Sequence, residues 1–249
     1  RFTSHIFECD TNKVSLYLSH SKDLKNWIRD KKPTLTPLDF RNISWNAPDK
    51  NGKMTVTPLV SDIIYHEKKY YVFVYGDNSK NNTYIGLLTC DSLNGEYKIE
   101  KQPILSPNKK SKFSNHDVYF PKILRYKDQW LMFYTSKNEK NEEVISKAIS
   151  NDLISWTTIK EDIIYKNNGW NQNRKNQLPA QVQNINDTIL IWTTGTKIVK
   201  ENNRVYKKGN VLDIAIGKFY SLDGGNTFIE FKGNPIIGGC PKLASENDH

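Results

Sequence analysis

The side chains best suited to chemistry in this 249-residue chain lie in loops that lead into apolar runs. Asp117 stands in Ser114-Asn115-His116-Asp117-Val118-Tyr119-Phe120-Pro121-Lys122-Ile123, where a polar loop turns apolar. A carboxylate there can carry or stabilise charge, or it can cap the start of a strand by accepting backbone N–H groups. Trp45, in Ser44-Trp45-Asn46-Ala47-Pro48, and Trp170, in Gly169-Trp170-Asn171-Gln172-Asn173-Arg174, precede two other apolar runs. An indole in a polar loop offers an apolar face for the C–H groups of a ligand and one N–H donor. Local packing is the alternative for each. His116, Arg174 and Gln177 carry donors and acceptors for hydroxyls or a carboxylate.

The elements that must position these residues are strands. Pro121 to Tyr126, a turn at Lys127-Asp128-Gln129, then Trp130-Leu131-Met132-Phe133-Tyr134-Thr135-Ser136, then Val144 to Ser150, then Trp156 to Ile159 read as four strands in succession. Their β-branched and aromatic content suits buried strands. Pro58 to Cys90 and Pro179 to Gly217 repeat the first three. No long stretch has helical periodicity.

Four polar turns punctuate these units: Ser21 to Trp27, Cys90 to Tyr97, Ser150 to Trp156 and Ser221 to Phe228. Most carry Asp two residues after Ser, and an aromatic residue closes each. They recur at about 60–70 residues, the spacing of a large four-stranded propeller blade. Asp or Ser at such a turn can accept backbone N–H bonds. The turns are therefore expected to staple strands three and four of each blade, with the aromatic residue packing between sheets and neither touching a substrate.

The predicted fold is an all-β, five-bladed β-propeller forming a single domain over 1–249, cut within its terminal blades. An incomplete first blade covers about 1–36. Blades follow at about 55–106, 117–165 and 178–237, and a further blade begins at 238–249. Arg1 to His5 aligns with a second strand and Lys13 to Ser19 with a third, so the first blade's inner strand is expected to be missing.

The net charge of +9 comes from Lys scattered along polar turns rather than massed in one run, which reads as a solvated surface. An anionic polysaccharide partner is compatible with it. Nucleic acid is not expected, because no basic stripe with interleaved aromatics is present. Cys9, Cys90 and Cys240 are an odd number without metal-site spacing. No transmembrane run appears. No cluster calls for a metal or cofactor, though a structural Ca²⁺ stays open. The oligomeric state is not legible.

The pattern of Trp130 to Ser136, a strand, and Ser150-Asn151-Asp152-Leu153-Ile154-Ser155-Trp156 resembles the five-bladed propeller glycosidases. These are glycoside hydrolase families 43, 32, 62, 68 and 117, with the family 130 phosphorylases as neighbours. Ser221-Leu222-Asp223-Gly224-Gly225-Asn226-Thr227-Phe228 is similar to the Asp-box of sialidases. The resemblance covers essentially the whole chain. It implies glycosidase activity on a poly- or oligosaccharide, in a funnel at the propeller axis, with carboxylates at the starts of the innermost strands and with Trp45 and Trp170 as expected sugar platforms. A non-catalytic carbohydrate-binding propeller is the alternative. That substrate class favours a secreted or periplasmic protein.

In such a site one carboxylate acts as base or nucleophile and another as acid, because the transition state resembles an oxocarbenium ion and the leaving oxygen needs a proton. The stretch around Asp117 resembles the Arg-Asp-Pro-Lys motif of family 32, whose Asp stabilises the transition state. Here Asp117 stands four residues before Pro121, and His116 replaces the Arg. Gly239-Cys240-Pro241-Lys242-Leu243 resembles that family's Glu-Cys-Pro-Asp-Leu acid motif with Gly239 in the place of Glu; the nearby Glu246 reads as a surface residue. The resemblance places the base on the missing inner strand, so the 249 residues alone are expected to be nearly inactive.

Overall fold

The computed structural model describes residues 2–8, 13–46, 58–77, 82–164, 169–171, 177–200 and 210–238. Among them, fifteen strands form four antiparallel sheets. The first sheet runs in the order β1 (Phe2–Glu8), β2 (Lys13–His20), β3 (Ile28–Arg29). The second contains β4 (Leu59–His66), β5 (Lys69–Asp77), β6 (Thr83–Cys90) and β7 (Lys98–Ile99). The third contains β8 (Asp117–Tyr126), β9 (Gln129–Lys137), β10 (Glu143–Ser150) and β11 (Thr157–Lys160). The fourth contains β12 (Pro179–Ile185), β13 (Thr188–Lys200), β14 (Asn210–Ser221) and β15 (Ile229–Glu230). Each sheet is a meander, every strand bonding to its sequence neighbour.

The chain forms two compact units. The first comprises 1–108, 116–121 and 153–156, and the second 109–115, 122–152 and 157–249. In the first, Leu16, Leu18, Phe40, Trp45, Val72, Val74 and Leu88 pack into one core. In the second, Leu131, Phe133, Ile145, Ile189, Ile191 and Phe219 do so.

Two-residue hairpins set the register of the first two strands of a sheet. Glu67-Lys68 joins the pair His66↔Lys69, and Asn186-Asp187 joins Ile185↔Thr188. All four turn residues have positive φ, the mirror-image turn that matches strand twist. Asn-Asp adopts this conformation cheaply; Glu-Lys does so only because the ladder holds it.

The four polar turns each join the third strand of a sheet to its fourth, or β2 to β3 in the three-stranded sheet. Asp23 accepts the backbone N–H groups of Lys25 (2.9 Å) and Asn26 (2.8 Å). Asp223 accepts those of Asn226 (3.0 Å) and Thr227 (2.9 Å), and the Thr227 hydroxyl at 2.7 Å. The residue after the Asp takes positive φ in three turns: Leu24 at 60°, Leu153 at 66° and Gly224 at 73°.

In two of the turns the closing aromatic packs on another sheet, whereas Trp27, which closes the first, is 42% exposed, contrary to expectation. In the first unit Trp156 meets Phe73 of β5 edge-on, centroids 6.0 Å apart. In the second, Phe228 meets Phe133 of β9 edge-on at 5.8 Å. Lys147, buried in β10, reaches the last turn, donating to the Gly224 carbonyl (2.6 Å) and Asn226 Oδ1 (3.1 Å). These contacts let the turns act as clasps between sheets.

Candidate functional site

Antiparallel pairing puts the start of a first strand, the end of a second and the start of a third at the same end of a sheet. The polar turns lie at the opposite end. In the second sheet that first end carries Asp77, last residue of β5, opposite Thr83, first residue of β6. Asp117 opens β8 and lies in the same unit as both.

Asp117 is 3% exposed. Its Oδ1 accepts the backbone N–H of Thr83 at 2.8 Å. The Thr83 hydroxyl donates to Asp77 Oδ1 at 2.7 Å. Asn82 Nδ2 donates to the His116 carbonyl at 3.0 Å. His116 Nδ1 stands 3.0 Å from Asp117 Oδ1 but off the hydrogen-bonding direction. The two side chains are therefore in close polar contact without a hydrogen bond between them. Two carboxylates thus flank Thr83, one buried and one exposed.

The second unit repeats this tie with the polarity exchanged. Glu143 opens β10 as Thr83 opens β6, paired with Lys137 as Thr83 is with Asp77. Its Oε2 accepts the Gln177 backbone N–H at 3.3 Å, just ahead of β12. Thr135 Oγ1 donates to the Gln177 carbonyl at 2.8 Å, and Gln177 Nε2 donates to Asn171 Oδ1 at 3.0 Å. Gln177 is 2% exposed, so this side chain serves an internal network rather than an open surface.

Trp45 corrects the expectation of a sugar platform. It is 0% exposed, belongs to the core of the first unit, and donates its Nε1–H to the Glu100 carbonyl at 3.0 Å. No face of the ring is left for a ligand. A Cβ at Gly86 would fall 2.2 Å from it, and one at Gly76 would fall 2.7 Å from Asn46 Oδ1.

Trp170 occupies the matching position in the second unit. A Cβ at Gly217 would fall 2.1 Å from its ring, and one at Gly195 2.3 Å from the ring and 3.0 Å from the Asn171 Cβ. Its Nε1 donates to Glu230 Oε1 at 2.8 Å, and the ring is half-buried.

The glycines correspond by register. Val74 pairs with Gly86 and Gly76 follows two residues after Val74; Thr193 pairs with Gly217 and Gly195 follows two residues after Thr193. A Trp-Asn pair lying across two glycines is thus a repeated building device. Its signal was present in the sequence, since a glycine inside a strand marks close approach of another group. Arg174 lies outside the described residues.

Sequence reading passed over Tyr75, Tyr119 and Phe120. All three lie in the first unit and remain half-exposed. The Tyr75 ring is 4.7 Å from Phe120 and 6.2 Å from Tyr119, and Tyr119 is 5.5 Å from Phe120. Burial first, and then the nearby Asp77 carboxylate, hold the Tyr75 phenol well above its ordinary range, so it stays a neutral donor. Among the described residues no group of three or more His, Cys, Asp or Glu side chains is placed to hold a metal ion, and no helix is long and apolar enough to cross a membrane.

The sequence matches no family model and no curated protein. Solved structures do resemble the fold. A family 117 glycoside hydrolase of the marine bacterium Zobellia galactanivorans superposes with a TM-score of 0.61 at 16% identity, over 79% of this chain and 62% of that one. A thermostable family-43 glycoside hydrolase gives 0.61 at 14% identity, over 90% and 66%. The family 32 β-fructofuranosidase of Bombyx mori gives 0.57 at 16% identity, over 88% and 42%. The chain thus spans less than two thirds of the length of these three proteins. At such identities the likeness is one of fold: an all-β chain of one three-stranded and three four-stranded antiparallel sheets among the described residues, whose structural neighbours are propeller glycoside hydrolases of families 117, 43 and 32.

Proposed function

We propose that the chain is part of a five-bladed propeller glycoside hydrolase acting on a poly- or oligosaccharide, with Asp117 as one of its carboxylates. The observation that carries this reading is the setting of Asp117, a 3%-exposed acid at the start of a first strand, held by the Thr83 N–H and flanked by His116. A carboxylate fixed in this way stabilises an oxocarbenium-like transition state without reorganising during the reaction. His116, beside it, supplies a second polar group for a sugar hydroxyl.

One observation favours a second reading, a propeller that binds carbohydrate without cleaving it. The tie at Asp117 recurs between Glu143 and Gln177, so the carboxylate also has a structural use. Turnover decides between the two. The intact protein is assayed on arabino-, xylo-, fructo-, galacto- and sialo-oligosaccharides. Hydrolysis of one of them, lost in Asp117→Asn with the fold retained, supports the hydrolase. Binding without turnover on any of them supports the second reading.

A further inference from the structure

The geometry points to Tyr75, Tyr119 and Phe120 as a stacking platform for a neutral pyranose ring beside Asp117. This rests on the carbohydrate reading above and names the class of sugar that the first unit would hold.

Three observations converge on it. The three rings form one aromatic group, 4.7 to 6.2 Å between centroids, each keeping part of its surface open. Large aromatic side chains that are only half-buried and clustered are characteristic of binding surfaces.

Phe120 sits at φ 52°, inside a strand. A bulky side chain takes that conformation at a cost, and such strain gathers at functional sites. Counting six residues back from the last strand residue before each hairpin, Phe120 corresponds to Val60 of β4 and Pro179 of β12. Neither of those has positive φ. All three strands depart from regular pairing or backbone geometry near this point, β4 and β12 by a shift of register, but of these three positions only Phe120 takes positive φ.

Platform residues and carboxylates stand two positions apart on the same strands, β8 and β5. Tyr119 lies two residues after Asp117 on β8. Tyr75 lies two residues before Asp77, whose Oδ1 receives the Thr83 hydroxyl.

The chemistry selects the ligand. An aromatic face is electron-rich and attracts a patch of C–H bonds, which a pyranose ring presents on one side. Asp77, exposed at the end of β5, accepts from sugar hydroxyls, and its charge with that of Asp117 repels a sugar carboxylate, which favours neutral over acidic residues.

Calorimetric titration of the intact protein with xylotetraose, galactotetraose, arabinotetraose and sialyllactose tests the inference. Binding of a neutral pyranoside in preference to the furanoside and the acidic sugar is expected. Tyr75→Ala and Phe120→Gly should each weaken it about three- to tenfold, and Tyr75→Phe should retain it. Phe120→Gly accepts positive φ without strain and so remains informative if Tyr75→Ala folds poorly.

Unchanged affinity in variants with native circular dichroism overturns the platform, as does failure of every pyranoside to bind. Hydrolysis of the same sugars by the wild-type protein is read separately. Turnover with ring-independent affinity removes the platform and leaves the hydrolase. Ring-dependent binding without turnover supports the platform and removes the hydrolase.

Discussion

The Thr83 backbone N–H donates to Asp117 Oδ1 over 2.8 Å, joining the start of β6 to the start of β8 within the first unit. One carboxylate oxygen is therefore both a strand tie and, in the proposed function, part of a reacting group. The two roles separate by substitution. Asp117→Asn keeps an oxygen that can accept from Thr83 but loses the negative charge. It should leave stability within about 1 kcal/mol and lower kcat more than it weakens substrate binding. Asp117→Ala leaves the Thr83 N–H without this acceptor and should cost about 1–3 kcal/mol. Urea unfolding beside steady-state kinetics checks both. Equal loss of stability in the two variants would make Asp117 a structural residue only.

Gly86→Ala should destabilise the first unit by about 1–3 kcal/mol or more, because its Cβ meets the Trp45 ring at 2.2 Å and the ring has no space to retreat into. The measurement is the shift in the urea midpoint. A midpoint identical to that of the wild type would mean that Trp45 is not seated over Gly86.

Asp223→Ala should destabilise the protein by on the order of 1 kcal/mol, since the carboxylate accepts from Thr227 and Asn226 across the last polar turn. The Thr227 hydroxyl and backbone N–H, with help from Ser221 and Asn226, hold Asp223 well below the usual carboxylate range. A depressed folded-state value stabilises at pH above the unfolded value near ~4 and is lost as pH falls from there toward the folded value. Thermal unfolding of wild type and variant should therefore converge as pH drops below about 4. The carboxylate is largely exposed, so salt should shrink the difference.

Tyr134 is fully buried in β9, with its hydroxyl 2.8 Å from Thr158 Oγ1. Burial pushes its phenol up to about 12. The folded state then holds a proton that the unfolded chain releases near ~10, so stability is intact below that pH and falls as pH rises toward the folded value. Tyr134→Phe should flatten this alkaline loss. Guanidinium unfolding across that interval checks it, and a slope unchanged in the variant would assign the alkaline loss to other groups.

What the sequence determined by itself was local. Strands follow from β-branched and aromatic runs, and the polar turns form from Ser, Asp and an aromatic residue within about eight positions, because their hydrogen bonds close inside the turn. All four turns accordingly join the strands expected of them, and Trp156 and Phe228 pack between sheets as their position implied. Tertiary structure decided what depends on distant partners. Trp45 reads as a loop residue until Gly86, far along the chain, supplies the hollow that buries it. Asp117 acquires its orientation from Thr83, and Tyr75 becomes a candidate only when Phe120 takes a backbone conformation that its residue type disfavours. Burial and ring contact are properties of the folded surface, which no local pattern of residue types encodes.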